Sequence, residues 1–329
     1  MQRADLPTGL PAAAPDLAST ILLWARPFME GCVWTNRRYR AIGDQDEMLL
    51  YLAAWHFLMN DIAASRDLMD TIGGLPATQG LATLSPDRFR ASSLASLVEE
   101  TGIPRQTARR KVAALVARGT FIAHDDSTFR LARMSDDILD LSVPAFGLAR
   151  WMLTFHGWPV EALGEPKSLR SFNGLIRSYL SAYLMLAKQR RIHTGGISQV
   201  PIQFGLMLMH VLKVEQALSL EGPPRRWDVL NFAAVAVRLM AEPYALRDLA
   251  RTIDLPLSVV RSNCRRLADV NGLVTLLDAE TLKVGGPGFG GPVPDNRRFY
   301  SLEIEQRLSR FTARVLARAK RLAPSPRPL

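Results

Sequence analysis

Apolar residues recur at helical spacing along most of the chain and at strand spacing in only a few short stretches. Leu17 to Trp34 is apolar enough for a buried helix. Asp44 to Leu68 carries Leu49, Leu50, Ala53, Phe57, Leu58 and Ile62 on a helical period and opens on Asp44 or Asp46. It reads as a strong helix that Gly73, Gly74 and Pro76 bring to an end. Thr78 to Ser92 reads as loop with a short helix. Asp136 to Trp151 is a further helix in which Pro144 is a point of division. Lys167 to Arg191 places Leu169, Phe172, Ile176, Tyr179, Leu180, Tyr183 and Leu184 on one side of a long amphipathic helix, and Gln199 to Leu220 follows as another. Trp227 to Met240 is apolar almost all round and so reads as buried. Ser301 to Leu322 closes the series, with Ile304, Leu308, Phe311 and Val315 as its stripe.

Ser93 to Ile122, SLASLVEETGIPRQTARRKVAALVARGTFI, holds the densest set of signals. Leu94, Leu97 and Val98 fall at helical spacing, and Gly102 supplies the open turn that ends a helix. Pro104 stands where a first helical turn accepts proline. A second helix then puts Ala108, Val112 and Leu115 on one face, Gly119 stops it, and Thr120 to Ile122 reads as a strand. His124 to Ser127 form a turn, and Phe129 to Leu131 the returning strand of a short wing. Helix, tight turn, helix and hairpin make the layout of a winged helix-turn-helix. Between Pro104 and Gly119 there is no acid, and Arg105, Gln106, Arg109, Arg110 and Ala113 point away from the apolar stripe. Gln pairs with adenine edges and Arg with guanine edges or phosphates. A basic stripe by itself is as often a solvated face. Its place on the second helix of this layout turns the expectation toward DNA. Arg105, Gln106, Thr107, Arg109, Arg110 and Lys111 are the contact candidates.

The pattern returns in Ala245 to Val274, ALRDLARTIDLPLSVVRSNCRRLADVNGLV. Leu94 and Leu246, Leu97 and Leu249, Ile103 and Leu255, Pro104 and Pro256, Arg109 and Arg261, and Leu115 and Leu267 are all 152 residues apart. The helices ahead of each copy come in the same order, with His56 and His210 at nearly the same offset. Two halves related by duplication follow. Residues 1–16 read as a tail, 17–160 and 161–322 as the halves, about 92–132 and about 244–302 as their winged units, and 323–329 as a closing tail. In the second copy Ser258, Arg261, Ser262, Asn263, Arg265 and Arg266 face outward. A long glycine-rich wing tip from Gly285 is expected to return as a strand through Arg297, Arg298, Phe299 and Tyr300. Gly286, Gly288 and Gly291 formally match a nucleotide-binding spacing, but Pro292 and Pro294 follow where a helix would be needed.

Composition changes this picture little. The 329 residues, 48% hydrophobic and 22% charged, suit a globular protein of two ordinary domains. A net charge of +10 favours a polyanionic partner, nucleic acid before a membrane surface. Cys32 and Cys264 are too few for a disulfide framework or a cysteine-based metal site, and the five histidines lack ligand spacing. No cofactor, metal or catalytic set stands out, and an enzyme is not expected. Nothing at the N-terminus reads as a signal peptide and no apolar run suits a membrane span, so the expectation is a cytoplasmic protein.

Taken together, the chain resembles the MarR-like winged-helix transcription regulators. The resemblance rests on the helix-turn-helix spacing, on Asp295 and Arg297 as an Asp-x-Arg before a strand, and on the flanking helices. It implies a mainly α fold with small β wings: tandem winged helix-turn-helix units on a helical body, a pseudo-twofold dimer in one chain. It implies a sequence-specific regulator of double-stranded DNA, a monomer acting as a pseudo-dimer or a homodimer. Gln106, Arg109 and Arg110 would read one half-site and Arg261, Ser262 and Arg265 the other, with Arg297 and Arg298 approaching the minor groove from the wing. It also leaves room for a small-molecule effector among Trp55, Phe57, Trp151, Trp158, Tyr179 and Tyr183, although core packing is the ordinary role of each. A plasmid or phage replication initiator shares this layout. So does a protein-interaction module in which one half alone binds DNA.

Overall fold

The computed structural model describes residues 14–125, 127–133, 136–155, 168–194, 199–218, 235, 239, 242–271 and 274–284. Side chains of residues 14–25, 86, 136–137, 151–155, 192–194 and 270–271 lie outside that description. So do several expectations: the glycine-rich segment, Asp295, Arg297, Arg298, the Ser301 to Leu322 helix, Trp158, and the Trp227 to Met240 helix apart from Val235 and Leu239.

The fold is mainly helical with two small antiparallel sheets. Helix α1 (Ala14–Arg38) runs unbroken through Pro27. Helix α2 (Gln45–Ala64) starts from a reciprocal cap: the Asp44 carboxylate accepts from the Glu47 amide at 3.1 Å, and the Glu47 carboxylate accepts from the Asp44 amide at 3.0 Å. Two of the four orphan donors of the helix start are thereby satisfied. The expected run to Leu68 is divided at Ser65, whose extended backbone separates α2 from α3 (Arg66–Ile72). A short α4 (Ala77–Ala82) follows. Pro144 does not split its segment. Asp136–Leu141 is a 3-10 turn and a helix starts after it, at Ser142, so the proline falls in a first turn where its missing N–H costs nothing.

Strand β1 (Ser92–Ser93), α5 (Leu94–Thr101), α6 (Arg105–Ala117), β2 (Phe121–Ala123) and β3 (Thr128–Leu131) form one unit with sheet order β1-β3-β2. After α7 (Ser142–Phe155), α8 (Leu169–Thr194) and α9 (Val200–Ala217) comes a second unit of the same order. It consists of β4 (Pro243–Ala245), α10 (Leu246–Ile253), α11 (Leu257–Asn271), β5 (Val274–Leu276) and β6 (Thr281–Val284), with sheet order β4-β6-β5. Strands β1 and β4 are too short to carry an alternating pattern, and nothing in the sequence pattern singled them out.

The halves cross over each other. Helix α1 packs on α9 and α10, while α8 packs on α2 and α5, so each long helix lies against the other half. One continuous core joins them, from Phe28, Leu52 and Trp55 through Leu97 and Tyr179 to Phe204, Leu249 and Leu267. Within the second half α9 and α10 come close at Gly205, where an added Cβ would stand 2.3 Å from Ile253 Cγ2 and 2.7 Å from Leu249 Cδ1. His56 and His210, on α2 and α9, meet different partners. The Nδ1 of His56 is 3.1 Å from Glu100 Oε1, and the Nδ1 of His210 is 2.6 Å from the Tyr244 hydroxyl.

A pair of crossed caps follows the same symmetry. Helices α5 and α10 each end in a left-handed residue, Gly102 (φ 66°) and Asp254 (φ 55°), leaving carbonyls exposed at a negative helix end. Cations from the opposite half fill both ends. Arg37 donates to the Arg251 carbonyl at 2.9 Å, and Arg40 to the Ile253 and Asp254 carbonyls at 2.9 and 2.5 Å. Across the molecule, Lys188 donates to the Glu99 carbonyl at 2.6 Å and Arg191 to that of Gly102. Arg40→Ala should cost about 1 kcal/mol, the value of a charged capping bond discounted for its 42% exposed side chain. Hydrogen exchange would show it as amides of α10 opening about fivefold faster while those of α5 stay unchanged.

Candidate nucleic-acid interface

The first unit is built outward from a tight turn. Gly102 takes the left-handed conformation that reverses the chain after α5. Buried Thr101 braces the turn: its hydroxyl donates to the Leu97 carbonyl at 2.7 Å and accepts from the Ile103 amide at 3.3 Å. Pro104 then leads into α6. Ala108, Val112 and Leu115 are fully buried on one side, a spacing of four then three that matches the helical period. Their burial leaves Arg105, Gln106, Arg109, Arg110 and Ala113 exposed and Thr107 half-buried. Arg105, Gln106, Arg109 and Arg110 make no hydrogen bond or ion pair with any described residue.

Lys111 and Arg118 are placed otherwise. The Lys111 ammonium donates to the Asp44 carboxylate and lies 3.6 Å from Glu47, and Arg118 meets Glu47 at 2.8 Å. The bond to Asp44, opposed by partial burial, holds Lys111 above its ordinary pKa. Lys111 therefore ties α6 to the start of α2 instead of joining the outward set. It lies three residues from Ala108 and one from Val112, on the margin of the buried stripe.

In the second unit Val260, Cys264 and Leu267 are the buried stripe of α11. Ser258, Val259, Ser262, Arg265 and Arg266 are exposed. Two expected outward residues are not. Asn263 is buried and donates to the Val259 carbonyl at 3.0 Å, and Arg261 is half-buried with its Nε donating to the Ala279 carbonyl at 3.0 Å. Polarity misplaced Asn263, whereas its spacing of four from Leu267 puts it on the core side.

The hairpins also differ from expectation. The strand returning beside β5 is Thr281–Val284, reached through a turn at Leu277–Glu280, so the second hairpin is complete just ahead of the glycine-rich segment. The first hairpin is no shorter than the second, each pairing a strand of three residues with one of four. In each, one aspartate organises the turn. Asp125 accepts from the Ser127 amide, the Thr128 amide and the Thr128 hydroxyl, each at 2.7 Å. Asp278 accepts from the Glu280 amide, the Thr281 amide and the Thr281 hydroxyl at the same distances. The Leu94 amide donates to the Ser127 carbonyl and the Leu246 amide to that of Glu280, both at 2.8 Å. An Asp-x-x-Thr repeated 153 residues apart was the legible signal for this second wing.

The Thr128 hydroxyl, with the Ser127 amide next, pulls the Asp125 carboxyl down to about 2, and Thr281 lowers Asp278 in the same way. A folded value below the unfolded one means the first turn keeps this support above pH about 4 and loses it as the pH falls toward 2. Acid titration by NMR should therefore perturb the Thr128 amide within that window, and the Thr281 amide likewise only below the ordinary carboxylate range.

Of the aromatics named for an effector, the side chains of Trp151 and Trp158 lie outside the described residues. Trp55, Tyr179 and Tyr183 are fully buried in the core and Phe57 packs against it. A shallow open cleft between α2 and the first sheet is lined by Ala54, Leu58, Phe89, Phe129 and Arg130 among others, with none of those aromatics. Among the described residues no helix is long and apolar enough to cross a membrane. The chain matches no family model, no characterised protein and no solved structure.

Proposed function

We propose that the protein is a sequence-specific double-stranded DNA-binding regulator, carrying two winged helix-turn-helix units of the MarR-like kind in one chain. The observation that carries this reading is the α6 surface. Three arginines and a glutamine stand exposed there, without a described partner, on the second helix of a helix pair beside a hairpin. Cations left unpaired in this way suit phosphates and guanine edges. The crossed packing of α1 on α9 and α8 on α2 supports a pseudo-twofold arrangement, which is how a dimeric reader addresses two half-sites. The test is anisotropy titration of the full chain against fragments of its own genome, at several salt concentrations. The reading expects a few fragments to bind far more tightly than the rest, with affinity falling steeply as salt rises. Equal, weak binding to every fragment would overturn it.

A further inference from the structure

The constant offset of 152 residues lays α11 on α6 position by position, and the two exposed faces are chemically unlike. Where α6 opens with Arg105, Gln106, Arg109 and Arg110, α11 has Leu257, Ser258, Arg261 and Ser262. The only cation of that second set is Arg261, whose Nε is engaged by the Ala279 carbonyl of its own hairpin turn. Close to it stands Val259, the counterpart of half-buried Thr107 and itself 39% exposed. The free arginines of α11 come later, at Arg265 and Arg266. Arg265 lies about 12 Å along the helix from Leu257, at 1.5 Å per residue.

The N-terminal residues of a recognition helix meet base edges, and residues farther along meet backbone. Guanine offers two acceptors in the major groove and needs a donor such as Arg. Thymine offers a C5-methyl group and is met by an apolar side chain. Resting on the reading above, we infer that the target duplex is composite and directional: a guanine-rich half under α6 and a thymine-rich half under α11. Val259 is the residue that specifies the second half. Arg265 and Arg266 hold phosphates there.

Selection of the full-length protein from a random duplex pool, followed by replacement of each thymine in the selected site by uracil, tests this. The replacement removes the methyl group alone. Uracil in one half of the site should weaken binding about fourfold at one or two positions, the worth of one buried methyl group, and should have no effect in the other half. Val259→Ser, an exposed change that leaves the fold intact by circular dichroism, should erase the uracil effect without altering the guanine preference. A palindromic site, or a uracil effect unchanged in Val259→Ser, would overturn the composite target while leaving DNA binding in place. A pool that shows no enrichment at all would overturn the DNA-binding reading itself, and the composite target with it.

Discussion

Arg109→Ala combined with Arg110→Ala should weaken duplex binding at least thirtyfold while leaving the thermal midpoint nearly unchanged. Each good arginine pairing with a base contributes about 1–3 kcal/mol, so removing both amounts to about 2–6 kcal/mol. Both side chains are exposed and unpaired among the described residues, and exposed substitutions of that kind stay within about 0.5 kcal/mol in stability. The salt dependence should flatten as well, by about 0.9 in the log–log slope for each phosphate that is no longer neutralised. Lys111→Ala, on the same helix, should do the reverse. Its ammonium serves Asp44 and Glu47, so its removal loosens α6 on α2 and lowers the midpoint with little change in the salt slope. Equal weakening of binding in both variants would count against the assignment of Arg109 and Arg110 to the DNA surface. Anisotropy titration and a thermal melt of each variant decide it.

Trp55→Ala should be the most costly single change to stability, about 3–5 kcal/mol. Trp55 is wholly buried on α2, edge-on to Tyr51 with ring centroids 6.3 Å apart. Helix α2 is also the seat of α5, α6 and α8. Truncation leaves a cavity where elements of both halves meet, and close-packed interiors refill such space only in part. Because the core is continuous through Phe204 and Leu249, the second unit should unfold together with the first. Denaturant unfolding followed by far-UV dichroism, and separately by a probe near Leu249, should give one coincident transition at a lowered midpoint. Two separated transitions would show the halves to be independent.

These two outcomes divide along the line between what repeats in the chain and what the chain builds from the repeat. The spacing of Ala108, Val112 and Leu115, the turn at Gly102 and the recurrence at Ala245 to Val274 were readable because each depends on neighbours within a few residues. Propensity and periodicity act over that range. Lys111 and Arg261 were misjudged for the complementary reason. Each is polar and sits near a helix margin, and its direction depends on a partner elsewhere, the Asp44 carboxylate at the cap of α2 or the Ala279 carbonyl in the hairpin turn.

From the amino-acid order alone came the helices, the doubled pattern and the cationic face of α6, since these are local or periodic properties. Only the tertiary structure decided that the long helices cross to the opposite half, that Arg37, Arg40, Lys188 and Arg191 cap helix ends there, and that Gly205 lets α9 approach α10. Those interactions join residues far apart in the chain. They are set by which apolar faces remain unburied after the local elements form, and that is a property of the assembled surfaces, to which no single stretch of sequence has access.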